Sequence, residues 1–395
     1  MLAQVEIRQF RQDEFDTQME LLLYAFQAEL TEEEREENRS QFKPEENWGA
    51  FEDGKLKASL SLHPLELYVN GGVYRMGGVA SVASWPEERR KGLVAMLMSH
   101  ALETMKKEGQ TISCLHPFSF SFYHKYGYEM YCEYKRYVIE TAFLPERQPY
   151  QGRIERRNGD IPLLDGIYRQ YAVRYNGMLK RDESWWKESV FDRKPGHAAV
   201  YYRADGEPAG YMLYAVKDRV FTVHEFIPLD EEARTALWTF ISNHDSMIDR
   251  VEMTVPINDY TSFVAGNPRF KQEIIPYFMA RVVDVKPFLE QYKLQATGEL
   301  HEFTIQLSDP YAPWNEGTWT VRISADGTAS VQPCDKMEAH TPDASCDIQT
   351  LTAMLLSFKR PSLLSQAGRL SAGEQTIQLL ERLIPDRTTY LTDFF

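Results

Sequence analysis

At 395 residues, with 43% apolar and 26% charged side chains, the chain has the composition of a globular protein long enough for two or three domains. A net charge of -14 opposes nucleic acid, whose binding needs Lys and Arg to neutralise phosphates, and favours encounter with small cations. No stretch reaches the ~20 apolar residues of a membrane span, so neither nucleic acid nor membrane is an expected partner.

The amino terminus has no basic segment leading into a long apolar one, and a cytoplasmic location is expected. Met19, Leu22, Leu23 and Phe26 repeat at helical spacing. Thr31 followed by Glu34 has the form of a capping box, which makes the acids around it a solvated first turn. Asp53-Gly54 and Asn70-Gly71 read as hairpin turns in a meander with strands at 56–62, 65–69 and 73–75 and an apolar run at 79–82. Leu93, Met96, Leu97, Ala101 and Met105 predict one helix face over about 88–107, followed by a strand at 111–115. A loop and short helix at 117–125, closed by Gly127, lead to a long strand over 128–139.

From residue 150 to about 285 the alternation of helices and strands recurs, with a hairpin at Asp205-Gly206, strands at 211–216 and 220–226 and a helix over 231–242. Trp185-Trp186 and Tyr201-Tyr202 read as core or interface. The last ~110 residues carry strands at 303–307 and 319–323 and helices at 348–359 and 373–384, a mixed α+β layer. The tail at 388–395 is too apolar to stay in water, so it should dock. Cys114, Cys132, Cys334 and Cys346 are widely spaced without a CxxC pair, as buried thiols would be, and no carboxylate-histidine spacing predicts a metal.

The segment that carries chemistry runs from the strand at 79–82 into Arg89-Arg90-Lys91-Gly92-Leu93-Val94-Ala95. A basic, glycine-containing turn at a helix start presents unpaired backbone N–H groups, a positive dipole end and three cations to an anion such as a pyrophosphate. Taken alone it also fits a helix start with exposed basic side chains. In order and spacing, this turn, the long helix, the strand at 111–115 and Phe122-Tyr123-His124-Lys125-Tyr126-Gly127-Tyr128 resemble the GNAT acetyltransferase superfamily. The resemblance implies that residues 89–95 hold the pyrophosphate of acetyl-CoA. It implies that the backbone of Val82, Ala83 and Ser84 meets the pantetheine and acetyl carbonyl, that Phe118 and Ser119 lie along the coenzyme arm, and that Tyr123 protonates the departing thiolate. The second unit has neither motif, which makes it a scaffold without a second coenzyme site.

The whole chain is similar to the enhanced intracellular survival (Eis) acetyltransferases, through Gly78-Val79-Ala80-Ser81-Val82, the two motifs above and a terminal Phe395. That similarity implies a mixed α/β, α+β architecture. A catalytic GNAT-like domain would span 1–149, a degenerate one 150–285, and a sterol carrier protein-like domain 286–395, with its tail in the active site. It implies a homohexamer, no metal, and the Phe395 terminal carboxylate as general base, with Asp393 the nearest rival carboxylate. Phe394 stands where aminoglycoside-acetylating relatives can carry an acid; Glu29, Glu32, Glu33 and Glu34 are acidic substitutes or simply a solvated helix face. His63, His100, His116 and His124 receive no catalytic role. The expected reaction is acetyl transfer from acetyl-CoA to an amine of a polyamine or aminoglycoside-like molecule. The alternatives are a peptide or protein amine, or a hydrophobic-ligand carrier with inactive GNAT units.

Overall fold

The computed structural model describes residues 5–334 and 341–395. Strand β1 (Glu6–Gln9) and helices α1 (Phe15–Phe26) and α2 (Glu32–Ser40) precede β2 (Asn47–Glu52), β3 (Lys55–Val69) and β4 (Gly72–Ser84). Then come α3 (Leu93–Lys107), β5 (Ile112–Leu115), α4 (Phe120–His124), β6 (Glu129–Met130) and β7 (Glu133–Glu140). The middle of the chain supplies β8 (Arg153–Arg156), α5 (Ile161–Ala172), β9 (His197–Tyr202), β10 (Pro208–Lys217), β11 (Val220–Pro228), α6 (Glu231–Ser242), β12 (Arg250–Pro256), β13 (Lys271–Pro276) and β14 (Met279–Val282). The last part holds α7 (Val285–Gln291), β15 (His301–Ser308), β16 (Gly317–Ile323), β17 (Ala329–Pro333), β18 (Ala344–Asp347), α8 (Ile348–Leu355), α9 (Pro361–Gln366), β19 (Ser371–Ala372) and α10 (Glu374–Leu383).

Three sheets result, in the orders β1-β2-β3-β4-β5-β14-β6, β13-β7-β12-β11-β10-β9-β8 and β17-β16-β15-β18-β19. Local signals act as expected. Thr31 and Glu34 close a reciprocal capping box on α2, and both hairpin pairs, Asp53-Gly54 and Asn70-Gly71, sit at positive φ as type I′ turns require.

Three expectations are corrected. Residues 55–69 form one strand, because β2 ends opposite Ser61 and Pro64 lies beyond it, where no β2 partner asks for an N–H. The helix expected from residue 88 begins at Leu93, since Arg90 (φ 64°) and Gly92 (φ 85°) are left-handed and interrupt it. The strand expected over 128–139 breaks at Tyr131-Cys132, where the chain changes sheets: β6 pairs with β14, while β7 lies between β12 and β13. β14 in turn crosses back to fill the first sheet between β5 and β6. The first two sheets therefore exchange a strand, and residue 149 divides the chain without dividing the sheets.

Candidate active site

The site begins where two strands part. β4 and β5 run parallel from Met76 opposite Ile112 to Val79 opposite Leu115; β5 then ends, while β4 continues to Ser84 held by β3 alone. A bulge, with Ser81 and Val82 opposite Leu60 and Ser81 at φ 53°, turns this overhang. The edge of β4 across Val82, Ala83 and Ser84 is thereby left facing a cleft of about 790 Å³.

The end of the cleft is the start of α3. Gly92 is its N-cap without a side-chain cap, and the first ladder bond runs from the Met96 N–H to the Gly92 carbonyl (3.0 Å), leaving the N–H groups of Leu93, Val94 and Ala95 directed outward. A Cβ on Gly92 would meet open space; the left-handed backbone is what calls for glycine. Arg89 and Arg90 are exposed and line the cleft. Lys91 turns away: its ammonium lies 2.7 Å from Glu88, which also accepts from Lys57 at 2.7 Å, and these two hydrogen bonds hold the Glu88 carboxyl below its usual range. Uncapped N–H groups and two guanidinium groups with no partner among the described residues fit a pyrophosphate.

The opposite wall carries Phe118, Phe122, Lys125 and Tyr126, and also Tyr311 of the last sheet's domain, whose ring packs edge-on to Tyr126 at 4.8 Å. Sequence reasoning missed Tyr311, which has no motif to announce it. Ser119 is not on the wall; its hydroxyl lies 3.1 Å from that of Ser121.

Tyr123 lies on α4, buried among the residues that α3 turns toward the first sheet. Its ring meets Phe118 at 5.4 Å, Phe122 at 5.1 Å and Tyr128 at 6.3 Å. Burial pushes its phenol well above the ordinary tyrosine value. Tyr128 is the fixed neighbour, its hydroxyl 2.7 Å from that of Ser113, which donates to the Gly77 carbonyl at 2.8 Å.

Phe395 occupies the other face of the same sheet. Successive strand residues point to opposite sides: a Cβ on Gly77 would strike Met105 of α3, and one on Gly78 would lie 3.0 Å from the Phe395 ring. That ring also meets Phe278 at 4.8 Å and Trp185 at 6.4 Å. Gly78 directly precedes Val79, the last paired residue before the strands part. Tyr123, in one apolar cluster with Val79 and Leu115, and Phe395, against Gly78, thus lie on opposite faces of this part of the sheet.

The structure also sorts the rivals. Asp393 is buried, with Arg181 Nε 2.9 Å and Trp185 Nε1 3.0 Å from its carboxylate, so it anchors the tail. The Glu34 carboxylate is committed to its cap, accepting from the Thr31 N–H and hydroxyl, and His124 pairs with Glu129 at 3.1 Å. His116 packs against Tyr277, Phe278 and Phe394, and burial lowers its pKa. Cys114, Cys132 and Cys346 are buried, whereas Cys334, expected to be buried, is partly exposed just past the end of β17. Among the described residues no cluster of His, Cys, Asp and Glu is placed to hold a metal ion, and no helix is long and apolar enough to cross a membrane.

The second sheet has a similar fork with the opposite electrostatics. β11 and β12 pair in parallel only from Val220 and Arg250 to Val223 and Met253. The helix that follows, α6, is capped by Asp230, which accepts from the Ala233 N–H at 2.8 Å, and Glu231 and Glu232 fill its first turn. Arg234 and Asp259, 2.9 Å apart, line the space beside it. Carboxylates stand where an anion would need donors. Inside the last domain, an apolar space bounded by Phe303, Ile305, Val321 and Leu351 measures about 30 Å³, room for about one water and not for a lipid.

Comparison with known proteins places these sites in a context. Residues 6–131 and 177–282 each match an acetyltransferase (GNAT) domain family, and residues 285–392 match the sterol carrier protein domain. The crystal structure of an Enterococcus faecalis protein described as a probable N-acyltransferase is similar over the full length of both chains, with 29% identity and a TM-score of 0.92. An uncharacterized N-acetyltransferase of Streptomyces avermitilis is 22% identical over 92% of this chain and 93% of its own. The N-acetyltransferase Eis of Mycobacterium bovis is 24% identical over 78% of this chain and 76% of its own.

Proposed function

We propose that this protein, an N-acetyltransferase of the GNAT superfamily related to Eis and ending in a sterol carrier protein domain, transfers the acetyl group of acetyl-CoA to an amine of a small cationic molecule such as a polyamine or aminoglycoside. The observation that carries this reading is the fork itself. An uncapped helix end with two arginines lining the cleft closes one side, and a buried phenol and Phe395 lie on the two faces of the sheet where β4 and β5 separate.

In this reading Arg89, Arg90 and the N–H groups of Leu93, Val94 and Ala95 hold the pyrophosphate. The overhanging edge at Val82, Ala83 and Ser84 receives the pantetheine arm, with Phe118 beside it, and leads the thioester to the fork. The amine enters from the Phe395 side. Its ammonium gives a proton to the Phe395 carboxylate, directly or through water, and the neutral nitrogen forms a bond to the acetyl carbon as the carbon-sulfur bond breaks. Tyr123, kept protonated by burial, delivers a proton to the departing sulfur, and the second proton that the acylated nitrogen must shed returns through water to the phenolate. The net acidity of the chain favours encounter with a cationic acceptor.

Two measurements test this. Acetyl-CoA at 100 times its dissociation constant should stabilise the protein by about 2.7 kcal/mol; no thermal shift at saturating coenzyme would remove the enzymatic reading. Thiol release from acetyl-CoA with spermidine, spermine and neamine should be robust in the native chain and collapse when residues are added after Phe395, with coenzyme affinity retained. Equal turnover of both forms would reduce Phe395 to a packing residue.

A further inference from the structure

The second acetyltransferase-like unit has no anion cradle at its fork among the described residues, yet it contains a buried cluster of charges that the reaction leaves unused. Arg181 and Glu225 form an ion pair with neither side chain exposed, and Lys194 lies 2.5 Å from the same carboxylate. The Arg181 guanidinium sits 3.9 Å from the ring centre of Tyr168 and 4.6 Å from that of Trp186, and Tyr211 donates to Glu225 at 2.6 Å. Burial drives the Glu225 carboxyl up, but Arg181 and Lys194 outweigh it and hold the group ionised, well below its usual range.

The partner of this cluster is the tail. Arg181 Nε donates to both carboxylate oxygens of Asp393, at 2.9 and 3.2 Å, and its Nη2 to the Thr392 hydroxyl at 2.9 Å. Lys194 donates to the Thr392 carbonyl at 2.8 Å, Trp185 Nε1 to Asp393 at 3.0 Å and the Tyr277 hydroxyl to the Asp393 carbonyl at 2.9 Å. Upstream, Asn176 N–H donates to the Thr388 carbonyl and receives the Tyr390 N–H on its own carbonyl, both at 3.0 Å. Two cations and two carboxylates balance.

We propose that the second unit is a socket that sets the register of residues 388–395, with Arg181 and Asp393 as positioning residues for the Phe395 carboxylate. This rests on the reading of Phe395 as the base. Apolar packing alone would hold the tail as firmly, because a buried ion pair is a poor stabiliser compared with well-packed apolar side chains. Directed hydrogen bonds add what packing lacks: they fix one register. The last clamped atom is the Asp393 carbonyl oxygen, so two residues of backbone separate a fixed point from the terminal carboxylate. A duplicated fold without its own cradle thereby keeps a task in the first unit's chemistry.

Carboxypeptidase A, which removes aromatic carboxy-terminal residues, reads tail docking without relying on turnover. With the full chain, release of free phenylalanine tracks the population of undocked tail. Arg181→Met and Asp393→Asn each leave a buried charge without its partner, and release should rise about 100-fold to 1000-fold. Tyr277→Phe removes only a hydroxyl, keeps the fold, and should raise release about 5-fold to 10-fold. In all three, kcat with spermidine or neamine should fall in the same order while acetyl-CoA affinity by calorimetry stays native. A tail that remains as resistant as the native one in both charge variants overturns the socket. A tail that is freed while kcat is unchanged overturns the positioning role. If the native chain turns over no amine, the acetyltransferase reading fails, and phenylalanine release still decides the socket.

Discussion

In the proposed reaction Tyr123 is the proton donor, and α4 buries its phenol. A phenol in water loses its proton near pH 10, whereas this one is raised by desolvation, with the neighbouring Tyr128 and Tyr126 adding to the shift. The sign follows: with the folded value above the unfolded value, the protonated form and its contribution to stability are complete below pH 10 and are lost only as the pH rises beyond it. Ionisation of Tyr123 should therefore impose no alkaline fall in kcat below about pH 10. Tyr123→Phe keeps the ring contacts and removes the proton. We expect kcat to fall about 100-fold to 10000-fold with acetyl-CoA affinity unchanged. A kcat within twofold of native would assign the proton to another group. The residue scale also separates two carboxylates that lie two positions apart in the tail. Asp393 is consumed by Arg181 and Trp185, whereas the proposed reaction assigns the base to the carboxylate of Phe395.

At the scale of single elements, the proposed coenzyme cradle is the entry into α3. Gly92→Ala places its Cβ in open space, so its cost is the left-handed backbone, about 1–2 kcal/mol. Relaxation of that strain would draw the turn away from the anion. The acetyl-CoA dissociation constant should rise about 5-fold to 30-fold, and calorimetry showing native affinity would mean that the turn does not form the cradle. This element was legible in the sequence because its signals are local: the basic run, the glycine and the apolar face of α3 lie within a few turns of one another. The capping box on α2 and the I′ hairpins were legible for the same reason. The strand over 128–139 was not read correctly, since an aromatic and β-branched run reports strand propensity but not which sheet will take it. β14 is buried at all four positions and would read identically in either sheet; only the pairing of Ala280 with Cys114 and Glu129 assigns it to the first. Arg181 and Asp393, 212 residues apart, carry no periodicity that could have joined them.

Across the whole molecule, the domain farthest along the chain helps to build the cleft beside α3. Arg281, on the exchanged strand β14, is fully buried and donates to the Tyr126 carbonyl at 2.6 Å and to Asp309 at 2.5 Å. Asn315 donates to the same Asp309 carboxylate at 2.9 Å and accepts from the Val285 N–H at 3.0 Å, and Trp314 Nε1 donates to the Val283 carbonyl at 2.8 Å. The loop between β15 and β16 is thus locked to the first sheet through groups that have no water to fall back on, and it presents Tyr311 to the cleft beside Tyr126. On the same wall, the Lys125 ammonium lies 4.2 Å from the ring centre of Phe122. A wall of aromatic faces with one cation suits the adenosine end of the coenzyme better than its thioester end, because stacking and a phosphate contact are what that end can use. Tyr311→Ala should accordingly weaken acetyl-CoA binding by about 3-fold to 10-fold while kcat at saturating coenzyme remains native, since the fork between Tyr123 and Phe395 is untouched. Calorimetric titration and steady-state kinetics on the same sample separate the two quantities. A fall in kcat with unaltered affinity would show instead that the third domain acts on the fork through its tail, and that Tyr311 merely lies beside the cleft.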